Sequence, residues 1–325
     1  MLCKCGCGQE VLTQRTGRPG AYYSGACWVR SHRQQKHTDV TKVEDAPNVV
    51  TKLLTPEIKP ILKYPGAKWT LAPWIVSHFP KHAHYIEPYC GSAAVFFAKP
   101  PERHEVLNDL DLHIVNFFTV LQTRSEELAR AIMLSPFSEY EYYRIERNLS
   151  DGDELEQARR FVVRSWQAHG GTIHQVSGWK HNGLKGNVYP ARLWKQIPER
   201  LMVAAERLQN AEIRCKPALD IIDYYNTPEC LLYIDPPYEL STRARKYYAH
   251  EMDTQDHRDL LEVLARHKGS IILSGYAHPL YEEMLHDWQR VEMSAVTEHG
   301  NVRTEVLWLN RKAYRSQQGR LFDIG

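Results

Sequence analysis

A run of five apolar residues, Cys230-Leu231-Leu232-Tyr233-Ile234, stops at Asp235-Pro236-Pro237-Tyr238, and this stop constrains the fold more than any other feature of the chain. Two consecutive prolines cannot continue a central strand, because they lack the N–H groups a ladder needs. The turn therefore holds a carboxylate and an aromatic ring rigidly at the strand's carboxyl end. Similar short runs recur from residue 58 onward: YIEPY at 85–89, EVLN at 105–108, SIILS at 270–274 and TEVLWL at 304–309. Between them, amphipathic patterns place helices over 92–99, 112–122, 255–267 and 279–286. Leu71, Trp74, Ile75, His78 and Phe79 mark another helix after Tyr64-Pro65-Gly66-Ala67-Lys68. Strands alternating with helices predict an α/β fold, a parallel sheet covered on both faces, with ligands at the carboxyl ends of its strands.

Two further strand ends carry chemistry. Tyr85-Ile86-Glu87-Pro88-Tyr89-Cys90-Gly91-Ser92 runs from a strand through a glycine turn into a helix, so backbone can approach a ligand closely at Gly91. Asn108-Asp109 ends the next strand about 20 residues later, where a nucleotide-binding sheet sets an acid against ribose hydroxyls. Asp109 would serve equally as a helix N-cap. At the third end, the Asp235 carboxylate and the Pro236 carbonyl offer two acceptors to a planar amino group, and Tyr238 offers a face for stacking a base.

The 325 residues carry a net charge of only +2, but the charge is divided unevenly. Residues 1–37 hold six basic side chains against Glu10 alone, and residues 159–200 hold eight against Glu199 alone. Two basic segments in an otherwise acidic chain suit a nucleic-acid footprint, or else two solvated surfaces. No apolar run approaches the roughly 20 residues of a membrane span, and the N-terminus lacks a secretory pattern, so the chain is expected to be cytoplasmic. Cys3, Cys5, Cys7 and Cys27 crowd that N-terminus beside His32. In a reducing compartment such spacing suits a structural zinc site with four ligands drawn from these five residues, or free thiols in a flexible arm. Residues 38–57 mix Thr, Pro and charge without periodicity and read as a linker.

These motifs, in this order, make most of residues 58–310 resemble the adenine-specific DNA methyltransferases of the Dam type. Tyr64-Pro65-Gly66-Ala67-Lys68 is similar to that family's leading cofactor motif, EPYCGSAAVF at 87–96 to its glycine turn, Asn108-Asp109 to its ribose-contacting acid, and Asp235-Pro236-Pro237-Tyr238 to its catalytic motif. The resemblance implies a Rossmann-like methyltransferase sheet at 58–122 and 211–312. It also implies a helical DNA-recognition insert at 123–210. Outside the span of that resemblance, residues 1–37 resemble the short Cys-rich, zinc-finger-like modules at the front of some phage and bacterial DNA-acting proteins, and residues 313–325 are left as a tail. The methyltransferase resemblance implies S-adenosylmethionine held by Tyr64, Lys68, Glu87, Pro88, Gly91, Asp109 and Asp235, and catalysis by Asp235, Pro236, Pro237 and Tyr238 on a flipped adenine. DNA is the expected partner and the chain is expected to act as a monomer. The insert interleaves glycine, amide, base and aromatic, Trp166 among them, which suits a groove-contacting loop or else a solvated loop packed on the insert's helices; Trp179, Lys180, Lys185 and Arg192 stand out in it as DNA contacts. Arg243, Arg245 and Lys246 follow the catalytic turn, where they would clamp phosphate or serve as surface charge. The sequence departs from the family at Pro217, where many relatives carry an acid lining the pocket, with Asp220 as a partial stand-in. Two other readings remain open, an amino-methyltransferase acting on DNA cytosine or RNA, and a non-catalytic DNA-binding protein.

Overall fold

A computed structural model describes residues 58–146, 148–169, 177–181, 189–242, 247–296 and 302–322. Seven strands form one sheet: β1 (His84–Glu87), β2 (His104–Asn108), β3 (Ala211–Arg214), β4 (Cys230–Ile234), β5 (Ser270–Gly275), β6 (Gln289–Val296) and β7 (Val302–Leu309). Their order is β3-β2-β1-β4-β5-β7-β6. The first five run parallel, whereas β7 is antiparallel to β5 and β6 is antiparallel to β7. The expectation of a purely parallel sheet is thus corrected at one edge. There β6 joins β7 as a hairpin rather than through a crossover helix, so the last strand returns in the opposite direction. Two strands, β3 and β6, were absent from the sequence reading; β3 is short and half polar, and neither offers an uninterrupted apolar run.

All five residues of β4 are buried, as its composition requires. Alternation sends Leu231 and Tyr233 to one face and Leu232 and Ile234 to the other, where two separate cores lie. The first core is covered by helices including Ala94–Ala98, Leu112–Thr123 and Glu154–Gln167, and the second by Ala218–Tyr224, Thr254–Arg266 and Pro279–Met284. The helices Ser125–Leu134, Glu139–Glu146, Glu154–Gln167, Pro190–Trp194 and Ile197–Leu208 occupy the expected insert. Their Leu128, Ile145, Phe161 and Leu201 join the first core rather than forming one of their own. Of the expected tail, residues 313–322 lie in the helix Arg311–Phe322, with Ala313 buried. No described helix is long and apolar enough to cross a membrane.

Three of the eight basic side chains counted over 159–200 do not add to a basic surface. Arg159, Arg160 and Arg164 lie buried in the helix Glu154–Gln167. Arg159 pairs with Glu156 at 2.6 Å and Glu141 at 3.0 Å, and Arg160 pairs with Glu156 at 2.9 Å. Hydrogen bonds from Arg159, followed by burial working the other way and by Arg160, bring Glu156 down to about 2. Trp166 is likewise buried, donating its indole N–H to the Ile61 carbonyl at 2.8 Å, and is a core residue rather than a DNA contact.

Candidate active site

The carboxyl ends of the parallel strands surround a cavity of about 520 Å³. Tyr64, Lys68, Glu87, Pro88, Gly91, Asp109 and Asp235 all line it, although they come from four separate stretches of chain. The parallel sheet explains the convergence, since side chains just beyond β1, β2 and β4 emerge at one edge. Pro236 and Tyr238 are not in the lining; the cavity ends at Asp235 and Pro237.

Asp109 is not a helix N-cap; that role belongs to Asp111, whose side chain accepts from the His113 N–H. Asp109 instead takes the Gly91 N–H at 2.9 Å on one oxygen and the Asp111 N–H at 2.9 Å on the other. Burial raises its pKa to about 6, against the pull of these two hydrogen bonds. Gly91 has φ 47°, a left-handed backbone that favours glycine, whereas a Cβ there would make only an ordinary contact with the Tyr64 ring at 3.4 Å. Asn108 does not face the cavity chemistry. Its amide donates to the Pro88 and Lys216 carbonyls, each at 2.9 Å, tying together the loops that follow β1 and β3.

Lys68 bridges the leading motif to the catalytic turn. Its Nζ donates to the Gly66 carbonyl at 2.9 Å and to Asp235 Oδ2 at 2.8 Å, and lies 3.7 Å from Glu305. Burial disfavours this ammonium, yet Asp235 and Glu305 outweigh it and hold its pKa above the ordinary lysine range. The second Asp235 oxygen, Oδ1, is buried and has no hydrogen-bond partner among the described residues. Such an orphaned acceptor costs on the order of 1–3 kcal/mol, which a donor entering the site would relieve. Glu87 is buried with its Oε2 accepting from the Tyr85 hydroxyl at 3.0 Å, and burial pushes its carboxyl well up.

Several cavity residues were not legible in the sequence. Tyr248, His250, Met252, Asp256 and Asp259 line it from the segment after the catalytic turn. The Tyr248 hydroxyl donates to the Pro65 carbonyl at 3.3 Å. Gly66 has φ 72°, and a Cβ on it would collide with that hydroxyl. Leu110, Pro217 and Leu219 supply an apolar wall, whereas Asp220 is exposed and absent from the lining, so it does not stand in for the acid missing at Pro217. Glu305 was hidden inside a strand-like run, and its only sequence signal is a lone carboxylate between Thr304 and Val306.

Of the expected DNA contacts, Trp179 is half-buried, with its indole N–H donating to Gln167 at 3.1 Å and its ring 5.3 Å from Phe137. Lys180 donates its backbone N–H to the Gln167 carbonyl at 2.8 Å, and the exposed Arg192 lies over the Tyr189 ring at 5.0 Å. Lys185, Arg243, Arg245 and Lys246 lie outside the described residues, as do Cys3, Cys5, Cys7, Cys27 and His32. Among the described residues, no group of three or more His, Cys, Asp or Glu side chains is placed to hold a metal.

A seven-stranded mixed sheet with its cavity at the carboxyl ends of the parallel strands is consistent with a methyltransferase fold. The chain belongs to the D12 class N6 adenine-specific DNA methyltransferase family, which it matches over residues 64–298. It is 26% identical over 263 residues to a Type II methyltransferase of Lactococcus lactis subsp. cremoris, covering 75% of this chain and 90% of that protein. A DNA adenine methylase of Vibrio cholerae is 26% identical over 230 residues, covering 66% of this chain and 80% of the relative. A DNA N-6-adenine-methyltransferase of Escherichia phage P1 is 22% identical over 238 residues, 70% of this chain but 31% of the phage protein.

Proposed function

We propose that Tyr64, Lys68, Glu87, Pro88, Gly91, Asp109 and Asp235 hold S-adenosylmethionine, and that Asp235, Pro236, Pro237 and Tyr238 act on the 6-amino group of an adenine flipped out of DNA. The cavity suits this cofactor: the half-buried Asp109 carboxylate offers an acceptor for ribose hydroxyls, and Leu110, Pro217 and Leu219 give an apolar wall for a base. When bound, S-adenosylmethionine supplies an electrophilic methyl group on a sulfonium. The rest of the chemistry falls to the protein. Adenine's exocyclic nitrogen is a weak nucleophile because its lone pair is delocalised into the ring. Asp235 Oδ1 and the Pro236 carbonyl accept the two amine hydrogens and turn the lone pair out of the ring plane. As positive charge builds on the amine, the Asp235 carboxylate stabilises it. Tyr238 stacks on the flipped base and helps offset the few kcal/mol that unstacking costs.

The observation that carries this reading is the division of labour within Asp235: Oδ2 is committed to Lys68, and Oδ1 is buried without a partner among the described residues. Tritiated methyl transfer to duplex DNA, single-stranded DNA and RNA, followed by digestion to nucleosides, tests it. The expected product is N6-methyladenine in DNA. Methylcytosine, or label in RNA alone, would overturn the reading.

Two finer parts belong to the same proposal. Trp179, Lys180, Lys185 and Arg192 contact DNA from the insert, supported by the exposure of Arg192 and the aromatic cluster around Trp179. Four of Cys3, Cys5, Cys7, Cys27 and His32 bind one structural zinc, supported by the chemistry of thiolate and imidazole ligands. Elemental analysis of chelator-free protein should give about one zinc per chain, lost on Cys27→Ser; metal-free protein would refute the zinc site.

A further inference from the structure

We propose that Glu305 is a positioning residue that locks the Tyr238 ring through its hydroxyl, so that the tyrosine of the Asp-Pro-Pro-Tyr turn presents a fixed face to the base. The proposal rests on the adenine-methylating reading above. Its starting point is a carboxylate in an unfavourable place. Glu305 is only 5% exposed and sits in β7, with apolar Val306 to Leu309 following it. A valine or leucine there would avoid the cost of burying a charge, which is large unless the group is paired and hydrogen-bonded.

Strand direction accounts for its position. β7 is antiparallel to β5, so the early part of β7 lies beside the carboxyl ends of the parallel strands, where the cavity opens. Period-2 alternation puts Glu305 on the same face as Leu307 and Leu309, which share the first core with Leu231 and Tyr233 of β4. Two residues beyond Tyr233 on that face is Asp235. The alternation therefore brings the two carboxylates together around Lys68, which is 2.8 Å from Asp235 and 3.7 Å from Glu305.

The direct hydrogen-bonded partner of Glu305 is the Tyr238 hydroxyl, which donates to its Oε1. Two more contacts fix the same ring. Tyr276 meets it at 4.7 Å with an interplanar angle of 80°, and the Lys68 ammonium lies 4.8 Å from its centroid. Stacking alone needs only an aromatic ring, and phenylalanine would supply one. The hydroxyl gains a purpose through Glu305: it converts a ring that packs into a ring that is held. Burial, helped by Asp235 and opposed by Lys68, also pushes the Glu305 carboxyl upward, in keeping with a group retained for its acceptor geometry.

The test uses the full-length protein on duplex DNA, with methyl-transfer kinetics at a base the unsubstituted protein methylates and with 2-aminopurine fluorescence at that base. Glu305→Leu and Tyr238→Phe should each lower kcat about 10- to 100-fold, leave S-adenosylmethionine and DNA affinity within a few-fold, and brighten 2-aminopurine by loosening its stacking. Glu305→Gln keeps an acceptor for the hydroxyl and should retain most of the rate and the quenched fluorescence. The double variant Glu305→Leu/Tyr238→Phe should be no worse than either single change, because both break one hydrogen bond. Wild-type activity in Tyr238→Phe, equal damage from Gln and Leu at position 305, or multiplicative loss in the double variant would overturn the proposal. If the unsubstituted protein methylates no adenine, the underlying reading falls and this one with it, a failure visible before any variant is made.

Discussion

Replacing Asp235 with Asn looks conservative, yet the site makes it severe. Lys68 donates to Oδ2 at 2.8 Å and is itself anchored on the Gly66 carbonyl at 2.9 Å, so its ammonium will claim the one remaining carbonyl oxygen of an asparagine. The amide NH2 then turns to the place of Oδ1, the buried atom that lacks a partner among the described residues. A donor would face the donor hydrogens of the target amine, and the charge that stabilises the methylated amine would be gone as well. Losing a preorganised acceptor of this kind costs about 3 kcal/mol, two orders of magnitude or more in rate. The fold should survive, because Lys68 keeps Glu305 at 3.7 Å as a counter-charge and the side chains are nearly isosteric. Single-turnover methyl transfer is the assay, with melting temperature as the control for folding. Asp235→Asn should resemble Asp235→Ala within about tenfold. A well-folded Asn variant retaining more than about a tenth of wild-type activity would refute the argument that Lys68 dictates the amide's orientation.

Asp109 should make cofactor affinity pH-dependent: its carboxyl is raised to about 6 by burial, and ribose hydroxyls need it ionised, so calorimetric affinity should fall as pH drops below about 6. With the folded value above the unfolded one, ionisation of Asp109 removes stability as pH rises towards 6; Asp109→Asn should flatten both trends, and an unchanged affinity profile would count against the ribose role. Arg159→Met leaves Glu141 and Glu156 without their shared partner and should cost about 3 kcal/mol, or roughly 6–12 °C in melting temperature, in a thermal scan. Neutralising Lys180 and Arg192 together should instead leave the melting temperature alone and reduce the salt slope of DNA binding by up to about 2; an unchanged slope would mean they do not meet phosphate.

Much of the site was legible in the sequence because its signals are local. A proline pair ends β4 wherever the rest of the chain goes, and a glycine turn with φ 47° is required by the backbone at Gly91 itself. The apolar runs of β1, β2, β4, β5 and β7 and the helices between them follow from composition and period, which neighbours in sequence determine. Charge was the misleading signal. Arg159, Arg160 and Arg164 count as basic in any sum along the chain, yet two of them are neutralised by Glu141, Glu156 and Asp151, and all three are buried. A sequence gives charge, but only packing tells whether its partner is a phosphate or a carboxylate. The tertiary structure likewise decided the direction of β7. An antiparallel return and a parallel crossover can bear the same apolar pattern, but only the antiparallel strand places its early residue Glu305 at the carboxyl edge of the sheet, beside Lys68 and Tyr238. The residues that carry the motifs are thus fixed by local backbone chemistry. Those that hold the motif in place depend on strand order and direction, which the long-range burial of two opposed cores determines.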